Sequence, residues 1–484
     1  MAPEGSLSAL LSVRLFPAQQ VEPACLEEER APWPESSSAC DLDQHYLLPP
    51  DLREWLPAEH LVWFLSDVVD TLDLSAVLDC YEKQELRGRP GYDPTMLVKL
   101  LLYAYCVGKP SSRKIEKATY EEVPFRVLAA GQHPDHASIA AFRRRHLPAL
   151  AGRFLEVLLL CRKAGLVKLG HVALDGTKVR ANASRHKAMS YARMCEAEEQ
   201  LSAEVAALLA EAERVDEQED ALYGKQSRGD ELPKELQRRE SRLEKIRAAK
   251  EALEREAKER AECAAVEARE RLREREAKEA ARGRKFGGRP PRIPDPETAV
   301  PGPREQKNFT DPESRIMMDG ATKSFVQAYN AQAAVDAHAQ IIVAASLTQE
   351  ANDKQQLRPL LKQVAANLGA LPEKASADSG FYSSDNLTDP ALAKVALYVP
   401  PEKRVQSCAL ADAMREKLAT EEGRALYAQR KAVVEPVFGQ LKEGRGFRRF
   451  SLRGHELVSA EWQLISLTHN LLKLFRSGAW PLPA

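Results

Sequence analysis

The chain has 484 residues, 44% of them hydrophobic, and a formal net charge of −1, which allows two or three domains with sizeable cores. No apolar run reaches the roughly 20 residues of a membrane-spanning helix, so a membrane protein is excluded, and Leu10-Leu11-Ser12-Val13 lacks the basic flank of a signal peptide. A cytoplasmic location is expected. The eight cysteines are scattered with no Cys-x-x-Cys pair, which argues against zinc and for reduced thiols.

In chain order, residues 1–45 mix Pro, Ser and acidic side chains (Glu27, Glu28, Glu29, Glu35, Asp41, Asp43) without periodicity and read as a weakly ordered acidic arm. Residues 46–165 carry a helical pattern throughout. Leu61, Phe64, Leu65, Val68 and Leu72 recur at helical spacing, and Asp93-Pro94 is an N-cap with Pro at the first helical position ahead of Met96, Leu97, Leu100, Leu101 and Tyr105. Asp135 precedes a further helix with Ile139, Phe142 and the triplet Arg143-Arg144-Arg145. Helices joined by short polar turns, one bearing arginines, suit a helix-turn-helix-like DNA reader and equally a helical core with a surface Arg row.

Strand signals begin at 166–175 and resume only after a long interruption. Residues 325–335 alternate, with Gln327, Tyr329 and Ala331 on one face, and 340–347 form a buried apolar run. A helix with Leu357, Leu360, Leu361, Val364 and Leu368 follows, with Pro359 in its first turns, then two short strands at 375–378 and 395–400. The interruption, 189–283, is dominated by Ala, Glu, Lys, Arg and Leu, with Leu201, Val205, Leu208, Ala212 and Val215 in one segment and Leu236, Leu243, Ile246 and Leu253 in another. It predicts an antiparallel helical hairpin broken at 226–230 and returning through Gly287-Gly288-Arg289-Pro290-Pro291.

Three acidic residues stand in distinctive contexts. Asp175 closes the apolar run Val172-Ala173-Leu174 and opens Asp175-Gly176-Thr177-Lys178; Asp378 lies in Ala377-Asp378-Ser379-Gly380-Phe381-Tyr382; Glu435 lies in Val434-Glu435-Pro436-Val437-Phe438. Each alone reads as a turn or cap residue, but together they offer the hard oxygen ligands that Mg²⁺ takes when it keeps waters and substrate phosphates around it. Two such ions roughly 3.5–4 Å apart serve phosphodiester cleavage, and unscreened carboxylates in one place raise each other's pKa. Asp311 and Asp336 compete but sit at turns. Lys431, Lys442, Arg445, Arg448 and Arg449 surround Glu435 as a candidate phosphate-binding strip. Pro436 is in tension with a continuous helix here. If the helix runs through, Tyr427, Lys431, Glu435 and Lys442 are expected on one face, with Val434, Val437 and Leu441 inward.

With these motifs the chain resembles the DDE transposases of bacterial insertion sequences, which place a Tyr, a basic residue, the Glu and a Lys along one helix, here Tyr427, Lys431 or the neighbouring Arg430, Glu435 and Lys442. Residues 88–94, 112–116, 134–136 and 142–146 resemble the InsH-type N-terminal domain. The resemblance implies a mixed α+β fold: an all-helical DNA-binding domain at 46–165, then an RNase H-like catalytic domain at 166–188 and 301–484, interrupted by the helical hairpin and linker at 189–300. It further implies Asp175, Asp378 and Glu435 as catalytic residues holding two Mg²⁺, with Mn²⁺ as a substitute. DNA contacts would come from Tyr427, Arg430, Lys431, Lys442, Arg143 and Arg145; double-stranded transposon ends and target DNA are the partners, and a homodimer acts in the DNA complex. A catalytically inactive, transposase-derived DNA-binding protein and a coiled-coil scaffold organised by 189–283 are the alternatives.

Overall fold

The computed structural model describes residues 51–82, 91–223, 234–320 and 323–480. The acidic arm at 1–45, the 226–230 break and the segment 88–90 lie outside the described residues. Seven helices come first: α1 (Leu61–Thr71), α2 (Ser75–Glu82), α3 (Pro94–Cys106), α4 (Ser112–Glu121), α5 (Val123–Leu128), α6 (His136–Gly152) and α7 (Phe154–Lys163). Two of their starts follow the capping signals in the sequence. The Asp93 side chain accepts from Thr95 N at 2.7 Å with Pro94 opening α3, and Asp135 accepts from Ala137 N and Ser138 N, each at 2.9 Å, to open α6.

Strand β1 (His171–Arg180) leads through the short β2 (Ala188–Ser190) into the long helices α8 (Tyr191–Tyr223) and α9 (Lys234–Arg282). These pack together on a small core of their own, with Met194 and Leu201 from α8 against Leu243, Ile246 and Leu253 from α9. The chain returns through β3 (Gln306–Asn308), which pairs antiparallel with β2, and β4 (Arg315–Met318). Then come β5 (Phe325–Asp336), β6 (Ile342–Thr348), α10 (Leu357–Leu368), β7 (Lys374–Ser376), α11 (Ser384–Thr388), β8 (Ala396–Tyr398), α12 (Ala409–Ala419), α13 (Glu421–Gly439) and α14 (His455–Arg476).

The main sheet is mixed. β5 is flanked by β4 and β6 on one edge and by β1 on the other, all antiparallel, while β7 and β8 extend the sheet parallel to β1. α14 is buried along most of its length and packs against α3, α6 and α7 as well as β6, so a continuous apolar core runs from α1 to α14. β1 starts at His171 and ends at Arg180, five residues later than the 166–175 expectation. Asp175 is therefore in mid-strand, paired opposite Ala333 of β5. The strand continues because Gly176, Thr177 and Lys178 each have a β5 partner, which local pattern cannot reveal.

Pro436 does not break α13. Proline removes the donor that would bond the carbonyl four residues back; here that carbonyl, of Ala432, accepts instead from Gln340 Nε2 at 3.0 Å. A π-helical turn, Gln440–Gly444, closes the element.

Candidate active site

Asp175 lies mid-β1, and Asp378 two residues past the end of β7, the strand beside it. Asp378 is held by capping the turn Ser379–Phe381, accepting from Gly380 N at 2.9 Å. Burial pushes the Asp175 carboxyl up to about 6; Arg430 opposes the shift, while Asp378 and Asp353 reinforce it. Asp378 is likewise raised, by burial first, with Arg430 opposing and Asp353 adding. The two aspartates thus share one electrostatic environment.

Two side chains of α13 complete this side of the site. Arg430, on the buried stripe with Leu426, Val433, Val434 and Val437, reaches Asp175 Oδ2 at 3.2 Å. Its guanidinium lies 5.7 Å from the Tyr427 ring, and burial raises the Tyr427 hydroxyl, helped by the charges of Asp378 and Asp175. Of the two basic candidates, Arg430 is the one at the aspartates, while Lys431 is exposed.

Glu435 is not gathered with them. It is exposed, although the helix runs through Pro436. Five residues beyond Arg430, it is turned about 140° around the axis at 100° per residue. Val434, Val437 and Leu441 do pack inward; with the helix continuous, Tyr427, Lys431 and Glu435 fall within about 80° of one another at 100° per residue, Tyr427 half-buried at the edge nearest Arg430 and Lys431 and Glu435 exposed. Among the described residues, no group of three or more Asp, Glu, His or Cys is placed to hold a metal ion.

Lys442 sits in the π-helical turn, and its ammonium donates to the Lys178 carbonyl of β1 at 2.8 Å. It ties the helix end to the catalytic strand. Glu443 points to solvent and pairs with Arg448. For the DNA cleavage that the sequence resemblance implies, Lys442→Ala is therefore expected to slow the reaction at least tenfold by loosening β1, and Glu443→Ala to leave it within twofold, orders of magnitude for one lost charge-assisted bond. Parallel cleavage rates decide it; equal rates would make Lys442 an ordinary surface charge.

The arginine expectations divide. Arg143 is 7% exposed and donates to the Pro110 carbonyl, so it is buried in the helical core and not on the DNA-facing surface expected of it, whereas Arg144 and Arg145 are exposed. Arg445 is buried too, donating to Thr468 Oγ1 at 2.9 Å and to the Ile465 carbonyl at 3.2 Å, which removes it from the phosphate strip. Of the competing carboxylates, Asp311 accepts from Tyr329 Oη at 2.9 Å, and Asp336 accepts from Leu169 N at 2.7 Å and His338 N at 2.9 Å; both are structural.

Asp353 and Lys178 went unnoticed in the sequence. Asp353 Oδ1 accepts from Asn330 Nδ2 at 2.6 Å and Gln332 Nε2 at 2.5 Å, and Lys178 Nζ lies 3.7 Å away. The available signal was two amides, Asn330 and Gln332, on the same face of a strand that is buried along nearly its whole length.

Two family models match the chain: Transposase domain (DUF772) over residues 50–145 and Transposase DDE domain over 401–475. Both matches are to transposase domains, and together they support an insertion-sequence DDE transposase. The first match spans α1 to most of α6; the second contains Tyr427, Arg430, Lys431, Glu435 and Lys442. No curated protein and no solved structure matches the chain. Among the described residues of this chain, no helix is long and apolar enough to cross a membrane.

Proposed function

We propose that the chain binds the terminal inverted repeats of its own insertion sequence and catalyses metal-dependent cleavage and strand transfer of that DNA. The observation that carries this reading is the placing of Asp175 on β1 and of Asp378 just beyond β7, the strand parallel to it, with both carboxyls pushed up by burial and Asp378 adding to the shift of Asp175. The strand order supports it: an antiparallel β6-β5-β1 set continued by parallel β7 and β8 is RNase H-like.

The donor set suits a divalent cation. Two desolvated carboxylates are stabilised as anions by a nearby cation, and Mg²⁺ needs few protein ligands when waters and phosphates supply the rest. Asp175 and Asp378 would hold Mg²⁺, or Mn²⁺ in its place, and Glu435, exposed on α13 and apart from them in the free protein, would join as the third carboxylate when metal and DNA are bound. Metal held there would supply the activation of a water or 3′-hydroxyl and the stabilisation of the departing oxygen that phosphodiester cleavage needs. The chain's own groups orient and neutralise. Arg430 fixes the Asp175 carboxylate and offers its remaining donors to phosphate, Tyr427 packs against the guanidinium beside the end nucleotide, and Lys442 holds β1 in place. Exposed Arg145, with Lys431, would contact the duplex backbone. The helices of 46–165 would read the ends, α8 and α9 form an insertion in the catalytic domain, and two copies act together on DNA in the bacterial cytoplasm.

The test uses duplexes made from the DNA flanking the gene. Wild type is expected to nick the element end with Mg²⁺ or Mn²⁺ and not with EDTA, while Asp175→Asn, Asp378→Asn and Glu435→Gln lose cleavage by about 1,000-fold or more and keep end affinity within a few-fold. Cleavage by Glu435→Gln at the wild-type rate removes Glu435 from the site. Binding without cleavage by wild type would make the chain a silent DNA-binding relative.

A further inference from the structure

Asp353 is a partly buried carboxylate on the loop between β6 and α10, and its surroundings are built to receive it. Asn330 and Gln332 are fully buried on β5, an expensive place for amides unless their polar atoms are satisfied. Both give an N–H to Asp353 Oδ1, yet Asn330 Oδ1 and Gln332 Oε1 have no partner. The amides are therefore turned for the carboxylate at the expense of their own oxygens.

The opposing strand makes room for the same group. A Cβ on Gly176 would lie 2.3 Å from Gln332 Nε2 and 2.7 Å from Asp353 Oδ1, so the residue after Asp175 must be bare for Asp353 to reach across β1. Asp353 Oδ2 also lies 3.6 Å from where a Gly380 Cβ would stand, beside Asp378. One carboxylate thus touches β5, β1 and the turn that carries the second aspartate.

What it faces is Lys178, opposite Asn330 in the β1–β5 register and 16% exposed. At 3.7 Å from Asp353 Oδ1 the ammonium is ion-paired, and that one oxygen takes up at most one of its three donors, which leaves the others for an incoming acceptor. Asp378 and Asp175 act on the same ammonium. Lys442, by contrast, already uses a donor on the Lys178 carbonyl.

Resting on the transposase reading of the aspartate pair, we propose that Asp353 is a positioning residue that fixes the Lys178 ammonium beside Asp175 and Asp378, and that Lys178 binds the scissile phosphate. A lysine there neutralises phosphate charge as a point charge, and the conservative replacement keeps that charge.

The experiment compares full-length wild type, Lys178→Ala, Lys178→Arg and Asp353→Asn by three readouts: end-DNA cleavage separated into kcat and KM, the salt dependence of end binding, and Mn²⁺ affinity by electron paramagnetic resonance. Lys178→Ala is expected to cut kcat by about 100-fold and to lower the salt slope by about one phosphate contact. Lys178→Arg should recover cleavage to within about tenfold of wild type, and Asp353→Asn should lower kcat by about tenfold with KM and Mn²⁺ affinity within twofold, as expected of a group acting through another. Unchanged cleavage and salt slope in Lys178→Ala overturn the proposal, as does a loss of Mn²⁺ affinity in either variant that matches its loss of rate. Should Asp353→Asn fail to fold, the two Lys178 variants still decide through kcat and salt slope. If wild type cleaves with no divalent metal at all, the transposase reading fails instead, and the salt slope alone then reports on Lys178.

Discussion

Asp175→Asn is expected to make the metal-free protein more stable at pH 7, by up to about 3 kcal/mol, while abolishing cleavage. The figure is the shift of the carboxyl from its ordinary 3.8 to about 6, at about 1.4 kcal/mol per pH unit. Because the folded-state value lies above the unfolded one, Asp175 contributes stability that is fully present below about 3.8 and lost as the pH rises through about 6. Arg430 is already counted, since its attraction opposes the burial that raises the group. Asparagine copies the shape of the neutral acid and carries no such pH dependence.

Urea unfolding in EDTA at pH 4 and pH 7 measures this. The variant's advantage should be near zero at pH 4 and largest at pH 7, and added Mg²⁺ should narrow it at pH 7 by stabilising wild type alone. A variant less stable than wild type at pH 7 would mean that the unpaired Arg430 outweighs the relieved carboxylate. Stability withheld from the resting protein is the counterpart of a site waiting for a cation.

Much of this architecture was legible. Asp93 and Asp135 announced α3 and α6 because an N-cap needs only the local chain, and Asp378 stood out because it opens an Asp-Ser-Gly turn after a short, largely buried strand. β1 extends beyond the local pattern because its second half is mostly polar and is held by pairing with β5, 148 to 156 residues on. Asp353 was invisible for a related reason: its meaning comes from Asn330, Gln332, Lys178 and the bare face of Gly176, on two strands that sequence spacing cannot align. Continuity of α13 through Pro436 depended on Gln340 reaching the Ala432 carbonyl from the β5–β6 connection. Once the helix continued, its apolar stripe fixed the phase, bringing Arg430 inward and leaving Lys431 and Glu435 outside. The arginine triplet was decidable in advance. Ile139, Phe142, Leu147 and Leu150 set the buried face of α6, and Arg143, four residues after Ile139, lies on it.

Arg143→Ala should therefore destabilise the whole molecule, by about 3 kcal/mol, the scale for removing one member of a buried charge group. Arg143 donates to the Pro110 carbonyl and is the cation acting on buried Glu461 of α14, whose carboxylate accepts from Tyr105 Oη at 3.1 Å, Ser451 N at 2.9 Å and Leu452 N at 3.1 Å. Burial already raises Glu461, and Arg143 lowers it. Removing the arginine leaves that carboxylate to protonate or to draw in water, either of which loosens the seam between α3, α6 and α14. Arg144→Ala with Arg145→Ala removes only exposed charge, so stability should stay within about 0.5 kcal/mol. If the α6 surface meets DNA, that double variant weakens end binding and lowers its salt slope by up to two phosphate contacts, which is the value of testing the pair apart from Arg143. Urea unfolding and salt-dependent mobility shifts on both variants separate the two roles. An Arg143→Ala protein as stable as wild type, with weakened DNA binding, would put Arg143 back on the surface.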